Sequence, residues 1–203
     1  MPVRSLLPWL VLLHLVCGGL TAASKTVTHD EIWHLPVGLL HWRTGRFDQD
    51  VLNPPLTRLW GAIPAALAGV DVAEGSDATD VALKFVKQHA PHDHRWYVWG
   101  RCFNLAFTVA AGLILCRWAG EWCGPGGASL AGLLWFTSPN VVAHGSLVTP
   151  DAGLTCGWTA TLYLFTHWRR SPGWRSASVL GVVLGLTQAT KFTALLLYPL
   201  LGV

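Results

Sequence analysis

Charge is what this sequence has least of: Asp, Glu, Lys and Arg make up 12% of its 203 residues, roughly half the share found in an ordinary soluble domain. So few ionic groups leave little with which to cover a water-facing surface, and a soluble α/β enzyme is a poor match. The net charge of +3 is spread along the chain without a block of Lys or Arg, so nucleic acid is discarded as a partner. Cysteine is scarce and odd in number. Cys17, Cys102, Cys116, Cys123 and Cys156 lie mostly inside apolar runs with no C-x-x-C pair, so neither a disulfide framework nor a zinc site is indicated and they read as small buried hydrophobes. What is plentiful is apolar: 52% of residues are hydrophobic, with 12 Trp and 21 Gly. That mixture suits a multispanning helical membrane protein, where Trp gathers at the interfaces and Gly is tolerated in packed helices.

A spanning helix needs about 20 mainly apolar residues. Four runs qualify, at about 6–23, 99–119, 128–148 and 152–168, and a fifth apolar stretch covers 176–203 with Lys191 in its middle. A charge at mid-bilayer is costly, so Lys191 is expected at a helix junction on one membrane face. The expected fold is all-α, a polytopic transmembrane bundle with a long first external loop at about 24–98. If the segments alternate, Arg4, Arg117 and the cluster Arg169, Arg170 and Arg175 share one side, which the positive-inside rule makes cytoplasmic. The long loop, the turn from His144 to Asp151, and Lys191 then share the opposite face. The first run also has the layout of a secretory signal, with Arg4 as its basic end and small residues in "TAAS". "LHLVC" is a poor lipobox because Val16 precedes the cysteine. "GPGG" at 124–127 reads as a tight turn between spans. The chain stops inside the apolar run "LLLYPLLGV", which raises the expectation of a fragment of something longer, lacking a C-terminal part and inactive alone.

In the loop, "THDEIWHLPVGLLHWRTGRF" sets Thr28 three residues before Glu31, the spacing of a capping box. The apolar residues that follow, interrupted by Pro36, suggest a helix lying on the bilayer surface. "NPPLTRLWGAIPAALAG" opens with Pro at a helix start and continues with Leu56, Leu59, Trp60 and Ile63 at helical spacing, a second interfacial helix. Between them and the next span, "VDVAEGSDATD" reads as a solvated, mobile turn whose acidic residues lack calcium-loop spacing.

"HDEIWH" invites comparison with the zinc-protease pattern H-E-x-x-H, whose histidines stand four apart. His29 and His34 stand five apart, about 140° around a helix from one another, and that reading fails. Asp30 and His34 are four apart and share a face. Asp30 is either a solvated charge at a helix N-terminus or half of a functional pair, and local sequence leaves both open. Asp151, after Pro150 in "HGSLVTPDAGLT", has the same two readings. Its functional reading gains weight because Asp30, Asp151 and Lys191 are expected at one membrane surface, and carboxylates convergent with basic groups suit group transfer onto a hydroxyl. Arg58 and Arg101 either snorkel from the interface or grip a lipid phosphate. "QHAPHDHRW", with His89, His92 and His94, reads as a hydrated loop more readily than as a metal site.

In order along the chain, "DEIWHLPVGLLHWRTGRFDQDVLNPPLTRL", "GR" at 100–101, "AHGSLVTPD" and "GLTQATKFTALLLYP" resemble the N-terminal part of GT-C glycosyltransferases, the superfamily of protein O-mannosyltransferases and the lipid A aminoarabinose transferase. The resemblance implies a sugar donor on a polyprenyl phosphate and an acceptor hydroxyl on a glycan, lipid or protein. It places the active face on the extracytoplasmic side of a bacterial inner membrane. It implies Asp30 as general base with Glu31 as its catalytic neighbour, His34 as a supporting substrate contact, and Arg58, Arg101 and Lys191 as basic groups for the donor phosphate. Asp151 would match an acidic position associated in some relatives with a divalent metal. The activated sugar arrives in the membrane, so no nucleotide-binding fold is required.

A non-enzymatic reading, a transporter or assembly subunit, expects Asp30 and Asp151 to face different places. The enzyme reading expects them in one cavity. A membrane metal hydrolase would need a tight His/Asp cluster that the spacing does not offer.

Overall fold

The structure is a computed structural model that describes the backbone of residues 3–202 and the side chains of residues 6–202. Arg4 lies outside the described side chains. Every regular element among the described residues is helical: α1 (Val3–Ser24), α2 (Glu31–Thr44), α3 (Leu56–Leu67), α4 (Ala78–His89), α5 (His94–Phe136), α6 (Pro139–Gly145), α7 (Pro150–Arg170), α8 (Trp174–Gln188), a 3-10 turn (Phe192–Leu196) and α9 (Leu197–Leu201). The expected all-α class therefore holds. Two stretches are long and apolar enough to cross a membrane, Leu6–Ser24 and His94–Phe136.

The second of these is a hairpin, not a rod. Gly124 takes the left-handed φ of 65° and Pro125 follows. The chain doubles back so that a Cβ on Gly120 would touch Ala128, one on Gly132 would touch Cys116, and one on Gly112 would strike Phe136. The Trp135 indole closes the pairing by donating to the Thr108 carbonyl at 2.8 Å. The turn expected at "GPGG" is thus in place. Only Gly accepts this φ without a steric penalty, and Pro cannot continue the preceding helix.

The expected single span at 128–148 is not formed. Ser138 is extended at φ −65°, ψ 121° and Pro139 opens α6, because the proline ring drives the residue before it out of the helical region. The stretch 176–203 is likewise divided. Its first helix ends at Gln188, Lys191 is extended at φ −159°, ψ 143°, and the 3-10 turn follows. Lys191 does stand at a helix junction.

The largest apolar core sits where the sequence suggested a surface layer. Leu35, Val37, Leu39 and Leu40 of α2 pack with Ala62 and Ala65 of α3, Val81 and Phe85 of α4, Tyr97 of α5 and Val148. Leu35 and Leu39 share one side of the helix and Val37 lies on the opposite side, and all are fully buried, which identifies α2 as a core helix instead of one resting on a bilayer. Gly38 is the crossing point with α3, since a Cβ there would lie 2.2 Å from the Arg58 carbonyl oxygen. α3 in turn leans on α5, with the Trp60 indole donating to the Phe103 carbonyl at 2.9 Å. The stretch expected as a mobile turn is ordered too. Val70 and Val72 are buried, and the Asp77 carboxylate accepts from the Asp80 N–H at 2.9 Å while Asp80 accepts from the Ser76 N–H at 3.0 Å. This reciprocal cap starts α4, a helix the sequence reading did not anticipate.

Candidate functional site

Two helix starts and two loops converge on a cavity of about 350 Å³ lined by Asp30, His34, Asp50, Asn53, Asp151 and Lys191. Asp30 directly precedes α2 and His34 stands one turn further on. Asp151 lies in the first turn of α7, behind Pro150. Lys191, at the α8 junction, brings its Nζ to 2.7 Å from the Asp151 carboxylate, with both side chains partly open to solvent.

His34 is almost fully buried. Desolvation, followed by the nearby Arg58 charge, lowers its pKa to about 4, against the opposing pull of Asp50, Asp30 and Asp151. It is therefore a neutral imidazole at physiological pH, able to donate from one nitrogen and accept at the other. Three carboxylates that line the cavity, Asp30, Asp50 and Asp151, thus lie near enough to act on this ring.

Arg58 does not line the cavity; it acts through residues that do. Its guanidinium is fully buried, donates to the Asp50 carboxylate at 2.7 Å and to the Asn53 carbonyl at 2.9 Å, and has no partner for Nε and Nη1. Burial lowers the Arg58 pKa and the Asp50 charge and hydrogen bond oppose the shift; an arginine stays charged through such changes. Asp50 and Asn53 are thereby pinned at the cavity wall. Sequence reading did not single out either. The available signal was a carboxylate just ahead of "NPPL" and eight residues before a basic group.

Glu31 and Arg101 are not brought to the cavity. They form a pair with no solvent exposure, Arg101 Nε and Nη2 donating to the two Glu31 oxygens at 2.8 and 2.7 Å. The remaining guanidinium protons go to the carbonyls of Ala22, Lys25 and Thr26 at 2.7–2.8 Å. Glu31 also accepts from the Val148 N–H at 2.9 Å and from the Thr28 N–H and hydroxyl at 3.0 and 2.9 Å. Desolvation would raise the Glu31 pKa, but the bonds from Arg101, Val148 and Thr28 and the Arg101 charge outweigh it and hold the carboxyl below its usual range. No donor or lone pair is left for a substrate. The capping contact from Glu31 to Thr28 is present, inside a larger knot that ties α1, α2, α5 and the loop before α7 together. That knot fixes Asp30, the next residue to Glu31, relative to Asp151, three residues beyond Val148.

Among the described residues no three His, Cys, Asp or Glu side chains come together as a group able to hold a metal ion. Asp151 faces a lysine, a poor neighbour for a bound cation, so these residues do not fit the expected metal. His29 stacks edge-on with Trp33. His89 and His94 bond to the carbonyls of Asp71 and Lys25.

The family model described as dolichyl-phosphate-mannose-protein mannosyltransferase matches residues 95–202. Arg101, Asp151 and Lys191 fall inside that stretch, while Asp30, His34, Asp50 and Arg58 precede it. No curated protein and no solved structure matches the chain.

Proposed function

The chain belongs to the dolichyl-phosphate-mannose-protein mannosyltransferase family, GT-C-like membrane glycosyltransferases, and from that premise we propose that it moves a sugar from a polyprenyl-phosphate donor to an acceptor hydroxyl at the cavity between α2 and α7. One observation carries the reading: Asp30 and Asp151, from distant parts of the sequence, line the same cavity together with Lys191. A transporter or assembly subunit whose external loop binds a partner is expected to set Asp30 and Asp151 in different places.

Asp30 takes the proton of the acceptor hydroxyl, whose oxygen then bonds to the anomeric carbon. The bond from that carbon to the donor phosphate oxygen breaks, and the electron pair leaves with the polyprenyl phosphate. A phosphate is a good leaving group once its growing charge is met, and Lys191 is the cation at hand. Neutral His34 offers a hydrogen bond that orients the acceptor without competing for its proton. Asp50, set by Arg58, gives the wall a second polar anchor for the sugar hydroxyls. Glu31 and Arg101 are positioning residues.

The sequence is a membrane-spanning region whose segments pack as α1, the two arms of α5 with α6, α7 and α8, with the loop carrying α2–α4 on the outer face of a bacterial inner membrane. The test is transfer from a defined polyprenyl-phosphate sugar by membranes containing the protein. Asp30→Asn should lower the turnover rate by about 10²-fold or more, the usual worth of a general base, with the helical spectrum retained. Unchanged transfer by Asp30→Asn would remove the assignment.

A further inference from the structure

Toward the end of α7 opposite Asp151, the α5 hairpin lines a second, apolar groove of about 500 Å³ walled by Trp118 and Trp122 on one arm and Leu134, Trp135 and Val141 on and beyond the other; Trp135 and Val141 also wall the space that reaches Asp151. Its rim is basic. The Arg170 guanidinium lies 5.9 Å from the centre of the Trp122 ring. One carboxylate is present, Glu121, but Arg117 at 3.2 Å, the Tyr163 hydroxyl at 2.9 Å and His167 at 2.9 Å all bond to it. With Glu121 matched by Arg117, Arg170 leaves the rim positive.

We propose that this groove holds an anionic phospholipid, an acyl chain lying between the three tryptophans and its phosphate on Arg170. The groove's volume and apolar walls suit a hydrocarbon chain, and a guanidinium over an aromatic ring at the groove mouth suits a phosphate oxygen. The donor's own phosphate belongs elsewhere. Asp151 and Arg170 are at opposite ends of α7, about 29 Å apart at 1.5 Å per residue, close to the thickness of a bilayer core. A phosphate reacting beside Asp151 and Lys191 cannot also sit on Arg170. The site thus takes a bilayer lipid of the opposite leaflet, and it fastens the kink of α5 to the end of α7. The inference rests on the membrane-spanning reading, and its test is independent of transfer activity.

The tryptophans are the probe. The protein is reconstituted in phosphatidylcholine vesicles containing a small fraction of either dibromo-phosphatidylglycerol or dibromo-phosphatidylcholine, and tryptophan quenching is compared. Quenching by the brominated phosphatidylcholine reports insertion, which tests the spanning reading separately. The proposal expects brominated phosphatidylglycerol to occupy the groove about fivefold more readily, the worth of one arginine near an anionic headgroup. Arg170→Gln and 1 M NaCl should each abolish the excess, while Arg170→Lys should keep most of it. Equal quenching by the two lipids would overturn the proposal. So would an excess that survives high salt in the unaltered protein, a reading that does not depend on any variant folding, or an excess removed by equimolar polyprenyl phosphate, which would give the groove to the donor instead.

Discussion

The cap formed by α2, α3 and α4 and the hairpin-bearing half formed by α5, α7 and α8 are built from similar proportions of Leu, Val and Ala but spend them in opposite directions. In the cap, Leu35, Val37, Leu39 and Phe85 have no solvent exposure, as in the interior of a water-soluble domain. In the other half, Leu130, Leu134, Val182 and Leu186 point outward, each more than half exposed. Outward leucine is costly in water and neutral in lipid, which suits the proposed membrane setting of that half, although the cap also exposes Leu67 and Leu83. The site lies on their seam, with Asp30 and His34 from the cap and Asp151 and Lys191 from the apolar half.

That contrast can be broken most severely at the knot joining the halves. Arg101→Ala leaves the Glu31 carboxylate buried without its partner and should cost about 3–5 kcal/mol, read as a collapse of thermal stability in detergent. Arg101→Lys should rescue little, because an ammonium cannot reproduce the two-pronged contact with Glu31. Next comes the cap core: Leu39→Ala should cost about 2–5 kcal/mol by the same measurement. Gly38→Ala, which puts a methyl against the Arg58 backbone, should cost about 1–3 kcal/mol and should also lower transfer, since α3 carries the Arg58–Asp50 anchor with it.

Acid should sharpen the comparison further. The folded pKa values of His34 and Glu31 are both lowered, so each contributes stability that is complete above its unfolded value. His34's share fades as pH falls from about 6.5 toward about 4, and Glu31's fades from about 4.5 downward. A melting-temperature profile should therefore fall on acidification, and His34→Gln should flatten its upper part. The smallest effect is expected in the apolar half, where Leu186→Ala removes an outward side chain and should shift stability by under about 0.5 kcal/mol. A loss there as large as at Leu39 would mean that α8 packs against further protein instead of lipid.

What the sequence made legible was local. Asp30 and His34 share a helix face because four residues are about one turn, "GPGG" reverses the chain because of what Gly and Pro do to a backbone, and Lys191 interrupts an apolar run where the helix breaks. What it hid depended on partners far along the chain. Glu31 looked catalytic because it stands beside Asp30, yet its fate is set by an arginine 70 residues away. Arg101 looked like a phosphate ligand for the same want of a visible partner. The apolar period of α2 was equally compatible with a bilayer and a protein core, and only the arrival of α3 and α4 decides between them. The break at Pro139 was the exception, a local signal outweighed by the surrounding hydropathy.

The contact between Lys191 and Asp151 has one consequence for how a donor would enter. A bare ammonium in a partly open cavity would attract any passing anion, free phosphate included. Lys191 already has a counterion, so an incoming phosphodiester shares the ammonium's three donors with Asp151 and feels that carboxylate's repulsion, and its net gain is smaller than from a bare cation. Headgroup charge alone is then a weak credential for entry. Selectivity would rest on what else the ligand brings, the sugar facing Asp50 and His34 and the isoprenoid chain in the membrane, which is the discrimination required of an enzyme surrounded by other phosphate-bearing lipids.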